Sequence, residues 1–132
     1  MITISKQSPV PVYEQIITQF QRLILLGDLP ENTRIPSVRA LSLKLSVNPN
    51  TVQKAYNELE LKHITYSVPG VGRYVHPQAR GIIEKQYEAH LGTLYNAAYA
   101  LALAGIPKEK AEQQVEAAYR AVQNYLEKRE KP

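Results

Sequence analysis

The chain has no cysteine, no tryptophan, one phenylalanine and only six glycines among its 132 residues. Without cysteine there is no disulfide framework, no thiolate zinc site and no cysteine nucleophile, so stability has to come from packing. No run approaches the ~18 apolar residues of a membrane span. The opening stretch MITISKQSPV lacks the charged-then-apolar order of a secretory leader, and a cytoplasmic location with no membrane partner is expected. An eight-stranded α/β barrel needs about 250 residues, and the Gly-rich first turn of a dinucleotide-binding fold is missing. A nucleophile elbow, a P-loop and a His-Glu helix motif are missing too. His63, His76 and His90 stand at no metal-ligand spacing. The expectation is therefore no enzyme, no metal and no cofactor.

The net charge of +4 fits a polyanionic partner without requiring one. Its distribution says slightly more: residues 1–79 hold eight Lys/Arg against five Asp/Glu, whereas residues 80–132 hold eight against seven. The positive excess sits in the first part.

Along the chain, Val12, Ile16, Phe20, Leu23 and Ile24 mark one face of a helix that Gly27 stops. Asp28 to Pro36, with two prolines and an asparagine, reads as a loop. Ser37 then caps a short helix whose buried side is Val38, Leu41 and Leu45. Asn48-Pro49, a cap followed by proline at the first helical position, opens a third helix. Val52, Ala55, Tyr56 and Leu59 form its buried face, and Asn50, Thr51, Gln53, Lys54 and Asn57 look outward. Beyond Lys62 the period changes to two, with Ile64, Tyr66 and Val68 on one side, a Pro69-Gly70-Val71-Gly72 tip, and Arg73, Tyr74 and Val75 returning. Pro69-Gly70 suits the centre of a type II turn. Pro77 to Gly81 marks a boundary, and the rest is helical.

The expected fold is mainly α with a small β-hairpin. A winged helix-turn-helix occupies residues 1–79, and an antiparallel two-helix segment for dimerisation occupies residues 80–132. A third helix of this kind enters the major groove of duplex DNA, where base edges are distinguishable, while helix N-termini favour phosphate oxygens.

The pieces Pro11-Val12-Tyr13-Glu14-Gln15-Ile16, Ile35-Pro36-Ser37-Val38-Arg39-Ala40-Leu41, Val47-Asn48-Pro49-Asn50-Thr51-Val52-Gln53-Lys54-Ala55-Tyr56, Leu59-Glu60 and Pro69-Gly70-Val71-Gly72-Arg73-Tyr74-Val75 follow one another at a specific spacing. Together they resemble the GntR-type bacterial transcription regulators, and more narrowly their short YtrA-like branch. The resemblance covers nearly all of residues 9–76. It implies that Arg39 contacts DNA from the second helix, that Ser37 is placed for phosphate, and that Asn48, Pro49, Asn50, Thr51 and Gln53 begin the recognition helix. It also implies that Gly70 lies at a wing tip near the minor groove. Lys54 and Arg73 join this set on electrostatic grounds. Two positions depart from the family pattern, Asn32 and His63 standing where glycine is usual; both residue types tolerate left-handed backbone. Ser37 and Asn48 also have the simpler use of capping helices, and Gly70 and Gly72 that of making a turn.

In the second segment Tyr87, Leu91, Leu94, Ala98 and Leu101, then Val115, Ala118, Val122 and Tyr125, follow heptad spacing. Ala104-Gly105-Ile106-Pro107 punctuates the two helices. Gly92 costs ~1 kcal/mol inside a helix unless another helix approaches closely. A homodimer formed by these faces is expected, as the resemblance also implies. The tyrosines Tyr87, Tyr95, Tyr99, Tyr119 and Tyr125 read as packing residues with hydroxyls at the rim rather than as a ligand cage. The partner is then double-stranded DNA at an inverted repeat, and the resemblance implies repression, often of a transporter operon. A winged-helix protein-interaction module and a small-ligand sensor remain alternatives, and no small-molecule effector is legible.

Overall fold

The computed structural model describes residues 2–130. The elements run α1 (Val12–Leu26), β1 (Arg34–Ile35), α2 (Val38–Leu45), α3 (Pro49–Leu61), β2 (Thr65–Val68), β3 (Gly72–Val75), α4 (Ala79–Leu103) and α5 (Lys108–Glu130). The chain divides into two compact units, residues 1–86 and 87–132, with the boundary inside α4.

In the first unit α3 is the central element, packed against α1, α2 and β2. Its buried face is Val52, Ala55, Tyr56 and Leu59, the four positions read from the periodicity. Ile16, Phe20 and Ile24 of α1, Leu41 of α2, and Ile35, Ile64 and Val75 of the wing complete the core. Each such side chain contributes about 1.5–3 kcal/mol on leaving water. Phe20 meets Tyr56 edge-on at 5.7 Å between ring centroids. The segment before α1 is held by two glutamines. Gln15 accepts from the Ser5 N–H at 2.9 Å and donates to the carbonyls of Ser5 and Val10, while Gln19 accepts from the Thr3 N–H and donates to its carbonyl. Ile2 is thereby buried.

Four helices end in one way: a residue in left-handed conformation donates its N–H three residues back, and the next residue donates five back. Gly27 does this for α1 (φ 85°), Ser46 for α2 (54°), His63 for α3 (61°) and Gly105 for α4 (81°). His63 and Asn32, at φ 63°, are the two places where the family pattern carries glycine, and both backbones are left-handed.

The loop read between α1 and α2 contains a strand that periodicity could not show. β1 is two residues long and pairs antiparallel with β3, Arg34 opposite Tyr74 and Ile35 opposite Arg73. The wing is thus a three-stranded sheet in the order β1-β3-β2. Two residues between Pro30 and Pro36 are too few to display an alternation. At the hairpin tip Gly70 has φ 75° and the Val71 N–H reaches the Val68 carbonyl at 3.0 Å, as a type II turn requires. Thr65 and Val75 face the core, which places Tyr66 and Val68 on the outer side.

The helix that leaves the wing starts earlier than the boundary signals indicated. Ala79, Arg80 and Gly81 are already helical, and just before them His76 Nδ1 accepts from the Gln78 N–H at 3.0 Å. Ala79 and Ile83 are buried in the core of the first unit, and Arg80 donates to the Leu25 carbonyl at 2.8 Å.

The second unit is helical. Leu94, Ala98 and Leu101 of α4 and Ala111, Val115 and Tyr119 of α5 line an open, mainly apolar groove of about 1120 Å³. These side chains do not close on one another within the chain: Leu94 remains 49% exposed and Tyr119 77%. A Cβ on Gly92 would meet open space. No helix among the described residues is long and apolar enough to cross a membrane.

Candidate nucleic-acid interface

The outward side of α3 is built by subtraction. Because Val52, Ala55, Tyr56 and Leu59 are consumed by the core, Asn50, Gln53, Lys54 and Asn57 are left to form the opposite surface. With Glu58 and Leu61 they line a shallow depression of about 430 Å³. Gln53 Nε2 donates to Asn57 Oδ1 at 2.7 Å, so one turn of the helix orients the amide of the next. The face presents amide donors and acceptors with little net charge. It suits hydrogen-bonding edges better than a bulk anion. Asn57, outward by the helix period but outside the expected contact set, joins the same surface through its bond to Gln53.

Both helix starts on this side are capped and exposed. Ser37 Oγ accepts from the Ala40 N–H at 3.0 Å, and Asn48 Oδ1 accepts from the Asn50 N–H at 2.8 Å. Neither α2 nor α3 carries an acidic residue in its first turn, whereas α1 has Glu14 and α5 has Glu109 there. The positive ends of the α2 and α3 dipoles are therefore not neutralised from within. Thr51, half-buried, follows Pro49 and Asn50 into the first turn of α3.

The cations differ in what holds them. Arg39, on α2, is exposed, and its guanidinium has no hydrogen-bond or ion-pair partner among the described residues. Lys54 Nζ lies 3.9 Å above the Tyr13 ring, which ties it to α1 while leaving it at the surface. Arg73 turns inward: its guanidinium stacks 5.4 Å from the Tyr56 ring and 4.0 Å from Glu60 Oε2, with the side chain only 22% exposed. Tyr56, fully buried, donates its hydroxyl to the Pro36 carbonyl at 2.7 Å, joining α3 to the start of α2. Burial pushes its phenol well above the usual range, and the nearby Arg73 cation pulls weakly the other way. At the tip of the wing Gly70 is exposed with open space around it.

Among the described residues no three His, Asp or Glu side chains gather to hold a metal ion. Residues 12–75 match the family described as bacterial regulatory proteins, gntR family. The HTH-type transcriptional repressor YtrA of Bacillus subtilis is 44% identical over 80 residues, a stretch that spans 61% of this chain and 62% of that repressor. A GntR family transcriptional regulator from Listeria monocytogenes superposes with a TM-score of 0.65 at 32% identity, over 86% of this chain and 98% of the other. The structure of AraR(DBD) in complex with operator ORX1 superposes with a TM-score of 0.52 at 26% identity, over 56% of this chain and 95% of that domain. The named relatives are regulators of transcription rather than enzymes. With this sequence match, this fold and these helix starts in one chain, the protein belongs to the GntR family of bacterial regulatory proteins.

Proposed function

We propose that this protein is a homodimeric repressor that reads an inverted-repeat operator in double-stranded DNA. Each α3 enters a major groove with its amide face toward the base edges, and each wing lies beside it. The observation that carries this reading is the pairing of an amide surface of little net charge on α3 with an exposed Arg39 guanidinium that has no partner among the described residues, and with two exposed, capped helix starts whose first turns carry no acidic residue. Asn50, Gln53 and Asn57 supply the hydrogen-bonding groups that discriminate bases, and Arg39, Ser37, Asn48 and the helix N-termini hold the backbone. Pro49 and Thr51 set the first turn, Gly70 lets the wing tip come close, and Lys54 adds charge at the flank. Arg73 serves this site indirectly, bracing β3 against α3 through Tyr56 and Glu60. The superposition on AraR(DBD), a domain solved with its operator, supports the same placement.

Residues 1–79 act as the DNA-binding domain and residues 80–132 as the dimerisation domain in this reading. From Leu91 to Pro107 the chain carries no charge, and the apolar groove beside it is open. A second copy that brings Leu91, Gly92, Leu94, Ala98 and Leu101 against its own Val115, Ala118, Val122 and Tyr125 would close that groove as a helical bundle, with Tyr87 at the near end. The likeness to a transcriptional repressor supports repression, and the family resemblance of the sequence motifs extends this to an operon of the transporter class.

The deciding experiment is selection of bound sequences from random duplexes with purified protein, with its mass in solution measured in parallel. An inverted repeat and a dimer mass are expected; a folded dimer that enriches no motif at low salt overturns the reading in favour of a protein partner. Arg39→Ala is expected to weaken operator binding by about 1–3 kcal/mol with dimerisation intact. Unchanged affinity in a fluorescence-anisotropy titration removes Arg39 from the interface.

A further inference from the structure

The two glycines of the wing are there for different reasons. Gly70 has φ 75° and nothing near it, so the backbone alone asks for glycine. Gly72 has no positive φ. What occupies its missing side chain is Arg34: a Cβ on Gly72 would lie 2.7 Å from Arg34 Nε, 3.2 Å from Cζ and 3.3 Å from Nη2. The sheet register explains the reach. Arg34 stands opposite Tyr74 across the β1–β3 ladder, and Gly72 is the next residue on the same side toward the tip. Tyr74, directly opposite Arg34, is stacked on Tyr66 of the next strand, with ring centroids 5.6 Å apart. The guanidinium is therefore laid along the glycine trough toward the tip. There it is exposed, with no hydrogen-bond or ion-pair partner among the described residues, whereas the wing's other arginine is spent on Tyr56 and Glu60.

We propose that Arg34 is the cation of the wing, pairing with one operator phosphate beside the tip, and that Gly72 is the seat that aims it. This rests on the DNA-binding reading above. A guanidinium held over a glycine, with its outer N–H groups unsatisfied, has the planar fork that phosphate oxygens accept from. Its strand keeps both neighbouring backbone bonds, Asn32 N–H to the Val75 carbonyl and Val75 N–H to the Thr33 carbonyl. Removing the side chain therefore leaves the ladder in place.

The test uses the full chain and the duplex recovered by selection, with affinity measured over a range of potassium chloride concentrations. Each protomer of the dimer loses one phosphate contact, so the slope of log K against log salt falls by about 0.9 per contact, about 1.8 in all, which at 0.15 M salt is about thirtyfold in affinity. Arg34→Gln is expected to show that change equally for all base variants of the operator, and Arg34→Lys to restore the slope because the charge returns. Gly72→Ala, which pushes the guanidinium off its seat, is expected to weaken binding alone and to add nothing on the Arg34→Gln background. A wild-type slope and affinity in Arg34→Gln overturns the proposal, and so does a loss confined to particular base pairs, which would mean base readout. If instead the wild-type protein does not distinguish operator from scrambled duplex, the DNA-binding reading itself has failed. Thermal melts of each variant separate a folding defect from a binding one.

Discussion

Tyr56 shows how one side chain serves core, helix junction and site together. Its ring is in the core against Phe20, its hydroxyl holds the Pro36 carbonyl just before the cap of α2, and its outer face carries the Arg73 guanidinium. Tyr56→Phe keeps the ring and leaves that carbonyl without its donor, which is expected to cost about 1–2 kcal/mol in urea unfolding at pH 7. The raised phenol value fixes the sign of the pH dependence: the neutral form is favoured in the folded state, so this contribution is intact below about pH 10 and is lost as pH rises above it. Tyr56→Phe should flatten that alkaline loss. Thr65 offers the opposite case, since its Oγ1 is buried without a hydrogen-bond partner. Thr65→Val removes an unsatisfied hydroxyl while keeping the shape, and is expected to raise stability by about 1 kcal/mol in the same assay.

Helix ends are where this chain spends unusual backbone. His63 closes α3 and Asn32 leads into β1, both left-handed and neither glycine. Left-handed backbone costs a residue with a Cβ roughly 1–2 kcal/mol, while glycine also loosens the unfolded chain. His63→Gly is therefore expected to raise stability by about 0.5–1 kcal/mol, read as an increase in Tm. Asn32→Gly is not equivalent, because Asn32 Oδ1 accepts from the Tyr66 hydroxyl at 2.8 Å and that bond would go. Its expected change is near zero or negative. Equal gains from the two substitutions would show that the side-chain bond contributes nothing.

The whole chain separates a head whose core is closed from a pair of helices whose apolar surfaces are open. Unit one buries Ile16, Phe20, Leu41, Val52, Tyr56 and Leu59 almost completely, whereas Leu91, Leu94, Val115, Tyr119 and Val122 remain exposed. An open groove of this size in water is a surface waiting for a partner, and the proposed second copy fills it. Leu101→Glu places a charge in that groove and is expected to yield a monomer in sedimentation velocity, with the circular-dichroism melt of the head retained. Operator affinity is expected to fall by about a hundredfold or more, because two half-sites are no longer held by one linked pair of heads. A dimer of unchanged affinity would place the contact elsewhere.

Local chemistry sufficed for much of this. The caps Ser37 and Asn48, the proline opening α3, the four buried positions of α3 and the glycine at the wing tip are all short-range consequences of residue type and spacing, and each is legible in the sequence. The non-local parts are not. β1 exists because Arg34 and Ile35 meet Tyr74 and Arg73 some forty residues later, and a two-residue strand carries no periodicity. Nor does spacing tell which of two wing arginines turns inward: strand parity puts Arg73 against Tyr56 and Arg34 over Gly72, and parity follows from pairing. The helical spacing of residues 87–125 marked apolar faces, but that those faces stand open within one chain depends on how α4 and α5 lie in space. Residue type and spacing act within a turn or two of helix; who covers whom is settled by contacts between distant parts of the chain.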